Sequence, residues 1–220
     1  MIAMMEPAEI DNSDFLQALL EGNRGECSKI VHAHLKNQMT VHDLYEKVIR
    51  KSLYEVGELW ELNRISVATE HLASAIVEAL LNELYMTAVY NDKGAGKVIV
   101  ACVENEYHQI EIKIVSDIFE LNGWNSFFLG ANTPTNELIS FVDYIKPDLL
   151  AISLSIYSNI PVFEKMIRKI REQKPNLPIL VGGQAFRRGG HDVIARYPNV
   201  NYLPDLNGVD AYIKHFQLNG

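Results

Sequence analysis

A chain of 220 residues is long enough for one large domain or two small ones with real cores. With 48% apolar and 22% charged residues it reads as an ordinary globular protein, which excludes a disordered or coiled-coil chain. The formal net charge of −8 and the lack of any dense Lys/Arg cluster beyond the pair Arg187 and Arg188 argue against direct nucleic-acid binding. The longest apolar runs, such as residues 149–154, are too short for a bilayer, and residues 1–11 lack a signal-peptide pattern, so no membrane association and a cytoplasmic location are expected. Cys27 and Cys102 lie in different halves of the chain, which leaves no disulfide framework or cysteine metal site and predicts two buried free thiols.

Residues 12–90 have helical periodicity broken into four segments, which predicts a four-helix bundle. Phe15, Leu16, Leu19 and Leu20 mark a first short helix that Gly22 stops. Ile30, Val31 and Leu35 mark a second short one that ends near Asn37. Thr40 with Asp43 caps a third helix, whose apolar stripe is Tyr45, Ile49, Leu53, Val56 and Trp60. Ser66 caps a fourth, apolar over most of its circumference (Val67, Leu72, Ile76, Val77, Leu80, Leu81, Leu84) and expected to be largely buried, with a polar stripe at Glu70, Ser74, Glu78 and Asn82.

The Gly-rich segment NDKGAGK (residues 91–97) reads as a linker. Beyond it, strands are expected at 98–103, 125–129, 149–154, 179–181 and 200–203, alternating with amphipathic helices, the last over 209–216. Runs such as VIVACV and LLAISL suit strands covered on both faces. They predict an α/β domain over 98–220, a flavodoxin-like (Rossmann-like) doubly wound parallel sheet of five strands in the order 2-1-3-4-5. Ligands of such sheets sit beyond the carboxyl ends of strands one and three.

That rule singles out the loops that follow those strands. Glu106 and His108 are two apart in the first, and a carboxylate beside an imidazole can fix its tautomer and turn the other nitrogen outward as a ligand. Alone, the pair is also compatible with a solvated loop. Ser153 and Ser155 follow the third strand, and Gly182 and Gly183 follow the fourth, where missing side chains would admit a bulky ligand; an ordinary turn has the same look. His191 reads as a helix-start residue, and His32, His34 and His42 as bundle residues. No nucleophile with its base and no phosphate loop is visible, so the chain alone is not expected to catalyse a reaction.

Together these motifs resemble the cobalamin (B12)-binding domain of corrinoid methyl carriers, methionine synthase and light-sensing regulators. The family's Asp-x-His-x-x-Gly, Ser-x-Leu and Gly-Gly motifs fall on Glu106-x-His108-x-x-Glu111, Ser153-x-Ser155 and Gly182-Gly183, at intervals of 45 and 29 residues. Glu stands at 111 where the family has Gly, Glu106 where it has Asp, and Ser155 where it has Leu. The resemblance implies a base-off, His-on cobalamin. His108 would be the cobalt ligand and Glu106 its support, Ser153 and Gly183 would line a slot for the nucleotide tail, and Asn159 would add a polar contact in the relay behind His108. The helical half resembles the cap of the light-sensing branch, in which Trp60, Glu70 and His71 would cover the upper face of adenosylcobalamin; Trp60 as a core residue and Glu70 as part of a solvated stripe are the alternatives.

These resemblances point to a stand-alone adenosylcobalamin sensor or light-responsive binding module. No room is expected before Asn12 for a DNA-binding domain, so a signal would leave through a protein partner or a change of homo-oligomer. The alternatives are a corrinoid methyl carrier, holding methylcobalamin and serving as the corrinoid subunit of a methyltransferase system, and a degenerate domain that binds haem or no cofactor.

Overall fold

The structure is a computed structural model that describes residues 12–88 and 94–219. The chain forms two compact units that divide between Met86 and Thr87. The expected linker falls partly on residues 91–93, outside the described residues, and regular structure resumes with a strand at Lys97.

The first unit is helical: α1 (Ser13–Leu20), α2 (Arg24–Lys36), α3 (Val41–Leu44), a π-helical segment (Tyr45–Arg50), α4 (Lys51–Glu61) and α5 (Val67–Ala88). Three of its helix starts are fixed by side-chain caps. Thr40 Oγ1 accepts from the Asp43 N–H at 3.0 Å, Ser66 Oγ from the Thr69 N–H at 3.1 Å, and Asn23 Oδ1 from the Glu26 N–H at 3.1 Å. The Asn23 cap starts α2 well before Ile30, so this helix runs 13 residues rather than being short.

Two further expectations are corrected here. The third apolar stripe does not run unbroken, because the helix is continuous from Val41 to Glu61 but widens into the π segment, which resets the phase of its faces. Tyr45, Val48, Ile49, Ser52 and Val56 are buried, Leu53 is half-buried, and Trp60 is 44% exposed. The core alternative for Trp60 is thereby removed. Nor is α5 buried along its length: Ala73, Ile76, Val77, Leu80, Leu81 and Leu84 are buried, whereas Val67 and Leu72 in its first turns are about half exposed.

The second unit is the expected doubly wound sheet. Its strands are β1 (Lys97–Cys102), β2 (Asn125–Gly130), β3 (Leu149–Ser153), β4 (Ile179–Gly182) and β5 (Val200–Tyr202), all parallel, in the order β2-β1-β3-β4-β5. Between them run α6 (Ile110–Leu121), α7 (Thr135–Ile145), α8 (Ile160–Gln173) and the short α9 (His191–Ile194), with α10 (Leu206–Asn219) last. One face carries the larger core: Ile99, Ala101, Leu150, Ile152, Ile179 and Val181 pack with Leu138 and Val142 of α7 and Phe163, Met166 and Ile170 of α8. The alternate strand residues point the other way, where α6 lies against β1, β2 and β3 and α10 against α6. A bulge between Val100 and Ala101 skips Leu129 of β2, so that Ala101 pairs with Gly130. No described helix is long and apolar enough to cross a membrane.

The corrected burial of α5 has a measurable outcome. Leu80→Ala should cost about 2–5 kcal/mol in urea unfolding through the cavity it leaves, and Leu72→Ala less than about 1 kcal/mol. Equal losses would contradict the placement of the exposed first turns.

Candidate functional site

β1 and β3 are neighbours, so the loops that leave their carboxyl ends meet at the switch point of the sheet. The β1 loop turns at once: the Glu106 N–H donates to the Val103 carbonyl at 2.9 Å, with Asn105 in a left-handed conformation (φ 68°). Asn132, also left-handed at φ 46°, braces it from the β2 side. Its Oδ1 accepts from the Asn105 N–H at 2.9 Å and its own N–H donates to the Glu106 carbonyl at 2.7 Å. Glu104 Oε2 accepts from the Oγ1 and N–H of Thr135, tying the same loop to the start of α7.

This turn buries Glu106 completely. Its Oε1 accepts from the His108 N–H at 3.1 Å and lies 2.5 Å from His108 Nδ1, and its Oε2 accepts from the N–H groups of Ser155 and Ile156, each at 2.9 Å. Burial is the largest single influence and opposes ionisation. The imidazole and the N–H groups of Ile156, His108 and Ser155 together outweigh it and bring the carboxyl from 4.5 down to about 2. An ionised Glu106 only accepts, so Nδ1 of His108 is the protonated nitrogen and the basic lone pair resides on Nε2. The His108 side chain is 56% exposed. Exposed Tyr107, Ile156 and Tyr157 belong to the same two loops.

On the α6 face of the sheet, Cys102, Ser153 and Gly182 pair side by side across β1, β3 and β4. These carry a thiol, a hydroxyl and a hydrogen, a row of small side chains at the carboxyl edge. Ser153 is 2% exposed and its Oγ has no hydrogen-bond partner, which leaves it a polar atom for a ligand to satisfy. Burial, with the carboxylates of Glu106 and Glu111, pushes the Cys102 thiol up to about 12, so it is inert as a nucleophile or metal ligand. Gly183 sits at φ 104°, and a Cβ there would lie 2.3 Å from the Leu154 carbonyl oxygen; only glycine brings the β3 and β4 loops this close.

Of the residues expected at the site, the structure thus brings together Glu106, His108, Ser153, Ser155, Gly182 and Gly183. Glu111 lies in the first turn of α6, half-buried. Asn159 is placed differently from its expected role: its Nδ2 reaches the Asn105 carbonyl at 3.5 Å, so it holds the loop backbone while main-chain N–H groups back the carboxylate. Ser155 contributes its N–H, a part that does not depend on its side chain. The Ile156 N–H, Asn105 and Asn132 were not foreseen, and only the turn preference of Asn carried a signal for the last two. In the helical unit, Glu70 Oε2 lies 2.5 Å from His71 Nδ1 and its Oε1 accepts from Ser74 Oγ at 2.9 Å, so Glu70 is engaged rather than merely solvated. Among the described residues no cluster of three or more His, Cys, Asp and Glu forms a metal cage.

A corrinoid fits this equipment: one imidazole with a fixed tautomer, a narrow row of small side chains and an unsatisfied buried hydroxyl. Because the Glu106 carboxyl is lower in the folded than in the unfolded chain, its stabilising contribution is complete above about pH 4.5 and is lost as pH falls toward 2. The loss should approach roughly 3 kcal/mol. Urea unfolding at pH 6 and pH 3 should show about 2 kcal/mol of it in the native protein, with a smaller pH-dependent loss in Glu106→Gln.

Comparison with known proteins identifies the family. Two family models, each described as a B12 binding domain, match residues 96–202 and 12–85. The HTH-type transcriptional repressor CarH of Myxococcus xanthus is 30% identical over 65% of this chain and 48% of its own length. CarA of the same organism is 27% identical over 56% and 43%. The chain spans about half the length of these repressors. Dimethylamine corrinoid protein 1 of Methanosarcina acetivorans is 23% identical over 67% of this chain and 71% of its own. The fold matches that of the monomethylamine corrinoid protein of Methanosarcina barkeri with a TM-score of 0.80 at 15% identity, over 93% of this chain and 97% of the other. With its helical unit and its sheet unit each matched, the chain belongs to the B12-binding domain family.

Proposed function

We propose that the chain binds cobalamin base-off, with His108 Nε2 as the lower ligand of the cobalt, and that it works as a cobalamin-responsive binding module rather than as an enzyme on its own. The observation that carries this is the Glu106 carboxylate, which fixes the His108 tautomer at Nδ1 and leaves the basic nitrogen for the metal. Ser153 and the Gly182-Gly183 pair would hold the displaced nucleotide tail, with Ser153 Oγ donating to a ring nitrogen of the base. A bound corrinoid supplies a cobalt–carbon bond, the chemistry that either a sensor or a methyl carrier uses. Adenosylcobalamin is favoured because the helical unit carries an indole that is 44% exposed at Trp60 and the engaged pair Glu70 and His71, groups suited to a large polar substituent.

A second reading, a methyl carrier acting with separate methyltransferases, rests on the similarity to dimethylamine corrinoid protein 1. The two separate in one experiment. Protein mixed with adenosylcobalamin in the dark and desalted should keep a base-off, His-on absorption spectrum that green light changes. His108→Ala should lose the His-on features, and Glu106→Gln should weaken binding about 10–100-fold. Equal affinity for methylcobalamin with no response to light would favour the carrier, and a colourless protein would refute cobalamin binding.

A further inference from the structure

We propose that the outer edge of β2 is a homodimer interface, at which two copies of the chain pair their β2 strands antiparallel about a two-fold axis through Phe127 and join their sheets into one. The inference rests on the sheet alone and is independent of the cobalamin reading.

The sheet has β2 at one edge and β5 at the other, and among the described residues no strand lies beyond either. β5 has three residues, too few to offer a ladder. β2 has six, Asn-Ser-Phe-Phe-Leu-Gly, with no charge and no proline. Edges are ordinarily blunted by short length, charged residues, proline or a bulge, because their unpaired main-chain groups template another strand. From Asn125 to Phe128 β2 has none of these devices, and its bulge comes only after Phe128. The Asn125 N–H donates to the Gly96 carbonyl at the start of the parallel ladder with β1, so the main-chain groups of Asn125 and Phe127 face β1 and those of Ser126 and Phe128 face outward.

Two outward residues separated by one are self-complementary. In an antiparallel pair Ser126 exchanges both N–H···O=C bonds with Phe128 of the second copy, and Phe128 does the same with its Ser126. Phe127 then stands opposite Phe127 of the second copy, a close aromatic pair on the face where Phe127 already packs edge-on against Phe141 of α7 at 6.2 Å. Phe141 leads on to Tyr144, which is 80% exposed, and on the α6 face Phe128 is 38% exposed, so apolar surface flanks the edge on both sides. Chains of net charge −8 repel, and the face where they meet must be locally neutral. Asp117 of α6 pairs with Lys113, and Asp143, next to Tyr144, pairs with Lys174. The charges are also complementary under the two-fold. Lys113 lies over the Phe128 ring while Ser116, beside Asp117, bonds to Ser126, so setting Phe128 against Ser126 of the second copy brings each Lys113 toward the Asp117 end of the other α6. A strand of an unrelated protein would meet the main-chain groups without this symmetry.

Sedimentation equilibrium of the full chain should give a dimer. Phe128→Pro removes an outward donor and leaves the ladder with β1 intact, and it should weaken the dimer at least about tenfold because the two-fold removes the bond twice. Phe128→Lys, a charge on an unaltered main chain, should act in the same direction and carries the test if the proline variant does not fold. Cross-linking reads the register: Phe127→Cys should oxidise to a disulfide-linked dimer, since the Cα atoms of such a pair stand about 4.5 Å apart, whereas Asn125→Cys, opposite Leu129 of the second copy, should not. Cys27 and Cys102 are buried and give little background. A dimer unmoved by both Phe128 variants, or cross-linking of Asn125→Cys in preference to Phe127→Cys, overturns the inference. So does a monomer, which would leave the edge to a strand of another protein.

Discussion

A carboxylate with no exposure to water is tolerable only where N–H groups surround it, and the Glu106 side chain meets that condition by drawing donors from two loops. The interaction depends on the strand order, because β1 and β3 are adjacent and their carboxyl ends deliver the Val103 turn and the Ser155–Ile156 amides to one point. It also acts on everything downstream. The same charge closes the β1 loop on itself through the His108 N–H, joins it to the β3 loop, and determines which nitrogen of His108 carries the proton. Fold and ligand chemistry thus share one buried ion.

The acidic residues of this region show how placement separates the fates of like side chains. Glu104 spends its carboxylate on Thr135 and orders the start of α7, which holds its carboxyl below the usual range. Glu106 is internal and structural. Glu111 stands in the first turn of a helix, where a negative charge is favoured by the exposed N–H groups of the helix end. Three carboxylates within eight residues therefore do not compete for one cation or repel at one point; each is matched to a different set of donors or to the helix end.

The sheet unit was the more legible half of the sequence, for a physical reason. Strands covered on both faces leave unbroken apolar runs, and the positions of Val98, Leu149 and Ile179 followed from those runs to within a residue. The pair Glu106 and His108 stood out because carboxylate–imidazole chemistry depends on side chains. The role of Ser155 and Ile156 was not visible because it is played by main-chain N–H groups that any residue but proline possesses. For the same reason Ser155 in place of Leu does not disturb the cradle. The misplaced stripe on α4 has another origin: the widened turn at Tyr45–Arg50 changes the helical period, and no residue type announces that.

Leu129, the residue the β1–β2 pairing passes over, gives the site a dependence on chain length. The bulge absorbs that residue, so that Gly130 stands opposite Ala101; from there the chain turns, with Gly130 at φ 73°, and Asn132 reaches back to Asn105 and Glu106. A strand that contributes none of the proposed ligands therefore works as a ruler for the loop that does. Homologous chains could exchange most side chains of β2 and preserve the site, whereas losing a single residue there would leave the ladder room to re-pair and the His108 loop without its brace.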